Sequence, residues 1–295
     1  MDTGVAWVLN LDADLELGAP ASYSPSASVE RAIREHTTPL RASLLRPDDV
    51  LVDEDAPGHA RGLVGRAFCP TSRALRLLER AGAAPERLPA MDVLRRVNSR
   101  AFASSLGPTL PDAAFVTSMH AVDAMLARPP SVGGAWRVKY PFGMAGRNQR
   151  ALLPGPPGAR DRTFLTAGLD RGGLQMEPNV VIVEEYAMHG FIDTKGNRSL
   201  GALVRQTCDQ RGAWLTTERV HLDASLGRIM EAVSREAARV ADALAGAGYF
   251  GPFGVDAYTY RGEGGEIALQ PRSEINARYS MGFAVGFGRA PAPLR

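Results

Sequence analysis

The chain has 295 residues, 45% of them hydrophobic and 22% charged, with 34 basic residues against 32 acidic ones for a formal net charge of +2. That is enough apolar material for two hydrophobic cores, and it excludes the disordered and collagen-like classes. Charges of both signs are scattered along the chain and leave no basic face for a phosphate backbone, so nucleic acid is not an expected partner.

No apolar stretch approaches membrane-spanning length. The first apolar run is broken by Asn10, Asp12 and Asp14, unlike a secretory leader. Cys69 and Cys208 lie far apart, outside any CxxC or Cys/His spacing, so neither a disulfide framework nor a zinc site is implied. A cytoplasmic protein with no membrane partner is the expectation. Lys139 and Lys195 are the only lysines among the 34 basic residues. Against that arginine bias, Lys139 marks a position that needs a compact ammonium rather than a planar fork.

In chain order, residues 5–11 read as a strand, 22–28 as a polar Ser/Pro stretch, 29–36 as a helix, 49–53 as a strand and 72–81 as a helix. That alternation predicts a small α/β domain over residues 1–95. Residues 91–106 read as one helix leading onward. A second unit, 96–190, contains a strand at Phe115, a helix capped by Ser118 and a strand over 135–140. Next come a Gly/Pro-rich loop over 143–158, either functional or a linker, and a helix over 161–169. The strand over 180–184 has a continuous VVIV run that predicts burial.

A third unit, 191–295, opens with a hairpin around residues 209–212. The spacing of Leu226, Ile229, Met230, Val233, Ala237, Val240 and Leu244 predicts an amphipathic helix over 224–246. A hairpin over 253–260 and 266–270 follows, joined by a glycine-rich turn.

The most informative segment is Glu274-Ile275-Asn276-Ala277-Arg278. In an extended chain, alternate side chains share a face, so Glu274, Asn276 and Arg278 point one way. Two oxygen donors and a guanidinium suit a magnesium-bound polyphosphate; a solvated edge strand is the bland alternative. Asp256, on the strand that the glycine-rich turn folds beside this segment, offers a third oxygen ligand, or else an ion pair with an arginine. Lys139 ends a strand, and Gly143 and Gly146 after it permit a tight loop with free N–H groups, a phosphate cradle or simply a surface loop. The GxGxxG match at Gly246 to Gly251 follows a helix and precedes a strand, the reverse of a dinucleotide fingerprint. The five histidines form no metal spacing, and no GxSxG or Cys/His nucleophile signature is present.

Taken in order, Lys139 with its glycine loop, VIVEEY, the long helix, GPFGVDAY and EINARYSMG resemble the ATP-grasp superfamily over residues 98–282. The resemblance implies an α+β ATP-grasp fold, with a small N-terminal α/β domain followed by two subdomains that clamp ATP. It maps phosphate binding to Lys139, Gly143, Gly146 and, from VNSRAF, Arg100, and adenine binding to Glu184, Glu185 and the backbone after them. Asp256, Glu274 and Asn276 become ligands of Mg²⁺, with Mn²⁺ as an alternative, and Arg278 becomes the residue that steadies the reacting group. At the spacing where many members hold the ribose with an acid, this chain has Phe191, with Asp193 two residues on.

The implied reaction activates a carboxylate as an acyl phosphate and joins it to an amine, releasing ADP and phosphate. Its partners would be a small-molecule carboxylate and an amine, and a homodimer is compatible with the resemblance. A kinase built on the same ATP site, or an ATP-binding protein without catalysis, are the alternatives.

Overall fold

A computed structural model describes residues 4–19, 21, 23–53, 58–209, 212–221, 223–292 and 294. Ser22, in the Ser/Pro stretch, and Gln210 and Arg211, in the expected hairpin turn, lie outside the described residues.

The first sheet is built from β1 (Val5–Val8), whose four side chains are all buried, followed by α1 (Ala13–Gly18), α2 (Ala27–Leu44), β2 (Val50–Leu51), β3 (Val64–Ala67), α3 (Ser72–Arg80) and β4 (Ala84–Pro85). Its strands are parallel in the order β2-β1-β3-β4. The order reverses at β1, so a crevice opens outside the carboxyl ends of β1 and β3, where open α/β sheets leave room for ligands. Helix α2 runs well past the expected end at residue 36, through Pro39. An interior proline costs about 3 kcal/mol. Leu40 and Leu44 bury against Val5, Trp7 and Leu9, and each buried leucine returns roughly 1.5–3 kcal/mol.

The single helix expected over 91–106 is two helices, α4 (Met91–Val97) and α5 (Arg100–Ser105). Ser99 marks the break, accepting from the Ala101 N–H at 3.2 Å as the N-cap of the second helix.

The second sheet comes from β5 (Ala114–Val116), α6 (Met119–Leu126), β6 (Trp136–Lys139), β7 (Gln149–Leu152), α7 (Ala159–Leu169) and β8 (Leu174–Pro178). It is antiparallel, in the order β5-β8-β6-β7. Part of the loop expected over 143–158 is therefore strand. Only Leu152 of β7 is buried, so its apolar alternation was too faint to read.

The third sheet takes β9 (Ile182–Ile192), β10 (Arg198–Cys208), β11 (Trp214–Arg219), α8 (Ala224–Gly246), β12 (Gly251–Arg261) and β13 (Ile267–Asn276), with α9 (Phe283–Gly286) after them. Its order is β11-β10-β9-β12-β13, antiparallel throughout. Helix α8 has the expected bounds and packs Val233, Ala237, Val240 and Leu244 against Tyr186, Met188, Val255 and Ile275 on one face of this sheet.

The VVIV run is not a buried strand. Val181 is 64% exposed, Ile182 45% and Val183 42%, because the chain crosses from the second sheet to the third over 179–181. The change of sheet therefore comes before residue 190, where a unit boundary was expected: β9 already pairs with β12 from Ile182 onward.

Candidate active site

Strand register builds the floor of the site. Asp256 lies directly opposite Glu274 and Gly254 opposite Asn276, while two residues further along β12, Tyr258 pairs with Gln270. The unequal spacing makes a bulge in β13 around Pro271, where a residue without an N–H costs no ladder bond. Beyond the bulge, directly opposed residues share a face. Asn276 Nδ2 donates to Asp256 Oδ2 at 2.9 Å, and Gln206 Nε2, from β10, donates to Asp256 Oδ1 at 3.0 Å. Burial and the neighbouring Glu274 charge push the Asp256 carboxyl up to about 7, against the pull of Gln206, Arg278 and Asn276.

This donor set fits a divalent cation. Two carboxylates facing one another on adjacent strands repel, and one is held toward its protonated form until positive charge arrives. Carboxylate and amide oxygens are hard donors. Among the described residues, no group of three or more His, Cys, Asp or Glu gathers as a metal cluster. A cation here would take its remaining ligands from water and phosphate, the usual arrangement for Mg²⁺ bound with a nucleotide.

The second sheet carries Lys139 and its neighbours. On β6 and β8, Arg137 is opposite Glu177 and Lys139 is opposite Gln175. Val138 and Met176 take the other face, into the core beneath α6 and α7. Lys139 Nζ lies 2.5 Å from Glu177 Oε1, and Arg137 Nε donates to Asn179 Oδ1 at 3.0 Å. Between β6 and β7, the glycine loop turns tightly: a Cβ on Gly143 would come within 2.8 Å of the Arg147 carbonyl oxygen, and Gly146 has φ of 74°. Met144, in the same loop, packs into the N-terminal core with Ile33 and Met281. Arg147 Nη2 donates to Ser28 Oγ at 3.2 Å. The loop thus rests on the first domain.

Two arginines join these parts. Arg100 Nη2 donates to Glu274 Oε1 at 2.5 Å, and its Nη1 donates to the Tyr140 carbonyl at 2.9 Å. Arg278 sends Nε and Nη2 to the two carboxylate oxygens of Asp14, at 3.2 and 2.5 Å. Asn98 clamps the backbone between Asn276 and Arg278, accepting from the Ala277 N–H at 2.9 Å and donating to the Ala277 carbonyl at 3.2 Å.

Of the residues singled out from sequence, Asp256, Glu274, Asn276 and Arg100 are brought together, and Lys139, Gly143 and Gly146 belong to the second sheet and its β6–β7 loop. Glu185 shares the face of Asp256 and Tyr258 and accepts a hydrogen bond from the Cys208 thiol. Glu184 does not. One position earlier on β9, it shares the α8 side with Tyr186, whose hydroxyl donates to it, and pairs with Arg205 at 3.1 Å. It cannot reach the cleft. Nor does Asp193, which caps the turn between β9 and β10 by accepting from Lys195 N and Asn197 N at 2.8 and 2.9 Å.

Glu177 was missed, although it stands where the chain leaves the second sheet and sits beside Lys139. Leu174 and Met176 alternate with Gln175 and Glu177, which is a strand signal with a polar face. Gln206, Asn98 and Asp14 were also missed. Nothing in their local sequence announces a role, because each acts across a long separation.

No protein-family model matches the chain, and no curated protein does. Solved structures do. N5-carboxyaminoimidazole synthetase from Staphylococcus aureus, complexed with ADP, is 13% identical with a TM-score of 0.52, over 97% of this chain and 74% of that one. N5-carboxyaminoimidazole ribonucleotide synthetase from Thermus thermophilus is 17% identical with a TM-score of 0.51, over 94% and 72%. D-alanyl-alanine synthetase A from Vibrio cholerae O1 biovar eltor is 11% identical with a TM-score of 0.52, over 98% and 92%. Identities this low establish architecture. The chain has the ATP-grasp fold.

Proposed function

We propose that this chain is an ATP- and Mg²⁺-dependent ligase that activates a carboxylate as an acyl phosphate and joins it to an amine, releasing ADP and phosphate. The reading rests above all on Asp256, Asn276 and Glu274, gathered on one sheet face beside Arg100 and Arg278, with Lys139 on the second sheet. The solved structures of the same fold include a synthetase complexed with ADP and a D-alanyl-alanine synthetase, which supports the reaction class.

In this reading the base enters where the chain crosses between sheets, against Glu177 and the backbone of 178–181. Lys139 and the N–H groups of the glycine loop orient the phosphates, and Asp256, Asn276 and Glu274 hold Mg²⁺. The cation, when bound, neutralises charge on the β- and γ-phosphates. Arg278 steadies the negative charge that develops on the acyl oxygen as the amine adds, a kind of contribution worth about 10²-fold or more in rate. The loop, seated on the first domain, excludes water that would hydrolyse the activated acyl group.

The test is incubation with ATP, Mg²⁺ and mixed carboxylic and amino acids, with mass spectrometry of the products. A new amide together with ADP is the expected result. A phosphorylated single substrate would instead identify a kinase, and nucleotide binding without ADP release across the panel would identify a non-catalytic protein.

A further inference from the structure

Three acids follow β1, Asp12 just before α1 and Asp14 and Glu16 within it, and two of them are satisfied within the first domain. Asp12 accepts from Arg73 Nη2 with both carboxylate oxygens, at 2.8 and 2.7 Å, and from the Tyr23 hydroxyl at 2.8 Å. Glu16 accepts from the Thr71 hydroxyl at 2.7 Å and from the Arg73 N–H at 2.9 Å. Asp14 alone reaches out of the domain, to Arg278 just past the end of β13. Both side chains of that pair are nearly buried, at 12% and 13% exposure.

The backbone at Arg278 is already fixed. Asn98 clamps Ala277 from both sides, and Asn276 is tied to Asp256. What remains free is the long side chain, whose rotamer freedom is worth about 2 kcal/mol. Asp14 grips one edge of the guanidinium while the Phe68 ring lies 5.4 Å from its centre. Nη1 donates to the Tyr279 carbonyl at 3.0 Å. Three of the guanidinium's five N–H groups are thereby used, leaving one on Nη1 and one on Nη2.

We infer that Asp14 is a positioning residue: it and Phe68 aim the two remaining donors of Arg278 at the anionic group beside Asp256, so that the N-terminal domain completes the reaction centre. The inference rests on the proposed ligase reading. It has a consequence opposite to that of simple charge. A carboxylate beside an arginine weakens the arginine's attraction for anions, so losing Asp14 should strengthen anion binding if only charge mattered. If Asp14 sets the direction of the donors, losing it weakens anion binding despite the gain in positive potential, because preorganised donors are what make such a site effective.

Calorimetric titration of inorganic phosphate into the full chain saturated with Mg²⁺ and ADP separates the two. Phosphate binding is expected in the wild type and its loss in Arg278→Gln. Asp14→Asn should weaken phosphate binding by roughly 10-fold or more, the size of a charge-assisted hydrogen bond, with Mg·ADP affinity unchanged. Asp14→Glu keeps the charge but displaces the fork by one methylene and should show an intermediate loss; where Asp14→Asn does not fold, this variant carries the test. Unchanged or tighter phosphate binding in either Asp14 variant overturns the inference and leaves the ligase reading standing. So does a wild type that binds Mg·ADP without phosphate. A wild type that binds no Mg·ADP overturns the ligase reading, and this inference with it.

Discussion

Arg100 holds Glu274 and the Tyr140 carbonyl at once, through Nη2 at 2.5 Å and Nη1 at 2.9 Å, so a single guanidinium links the cation site to the root of the glycine loop. Its own N–H also donates to the Pro141 carbonyl at 3.0 Å. A divalent ion arriving at Glu274 competes with that guanidinium. Arg100→Ala should therefore raise the affinity for Mn²⁺ alone, measured by electron paramagnetic resonance, while lowering the affinity for Mg·ATP by about 10-fold. Parallel changes in both affinities would show that Arg100 does not stand in for the cation.

Glu274→Ala and Asn276→Ala should each abolish Mg-dependent ADP release while the far-ultraviolet circular dichroism stays that of the wild type. Both residues lie at the end of β13 with their side chains on the cleft face, outside the packing under α8, so truncation leaves the core intact. Full turnover in either variant would refute the cation assignment.

Asp256 gives a pH signature. Its carboxyl is raised from the ordinary 3.8 to about 7, by burial first and Glu274 second. The folded state therefore binds that proton more tightly than the unfolded chain does, and between about pH 4 and pH 7 Asp256 makes stability fall as pH rises. In Asp256→Asn that contribution disappears: the variant should melt higher than the wild type at pH 8 without divalent ions, and the two should converge near pH 4. Saturating Mg²⁺ should stabilise the wild type at pH 8 and leave the variant unmoved. A wild type that melts higher than the variant at pH 8 without metal would contradict the assignment.

Glu177 and Glu184 make opposite predictions about the nucleotide base. Glu177 stands beside Lys139 at the crossing between sheets, whereas Glu184 is turned toward Arg205 on the α8 side. Glu177→Gln and Lys139→Met should each weaken ATP binding by about 10-fold, with Glu184→Gln within 2-fold of the wild type by calorimetry. A reversal of that order would restore Glu184 as the base-binding acid.

What could be read ahead of the structure was whatever a short window contains. The period of 3.6 in residues 224–246 gave α8 its bounds, since one apolar stripe suffices to place a helix on a sheet. The alternation of Glu274 and Asn276 gave their shared face, since a strand has no other geometry. The same reasoning failed at VVIV, where four apolar residues imply burial only if both faces are covered, and at β7, where one buried residue in four left no pattern.

By itself, then, the sequence determined that Glu274 and Asn276 share a strand face and that Lys139 ends a strand before a tight glycine turn, because these follow from backbone periodicity and residue chemistry. Tertiary structure alone decided that Lys139 pairs with Glu177, which carboxylate Arg100 grips, and that Asp14 meets Arg278 across almost the whole chain. Those are contacts between segments far apart in sequence. Their partners are fixed by sheet order, strand register and domain docking, which the burial of the cores sets and no local window records.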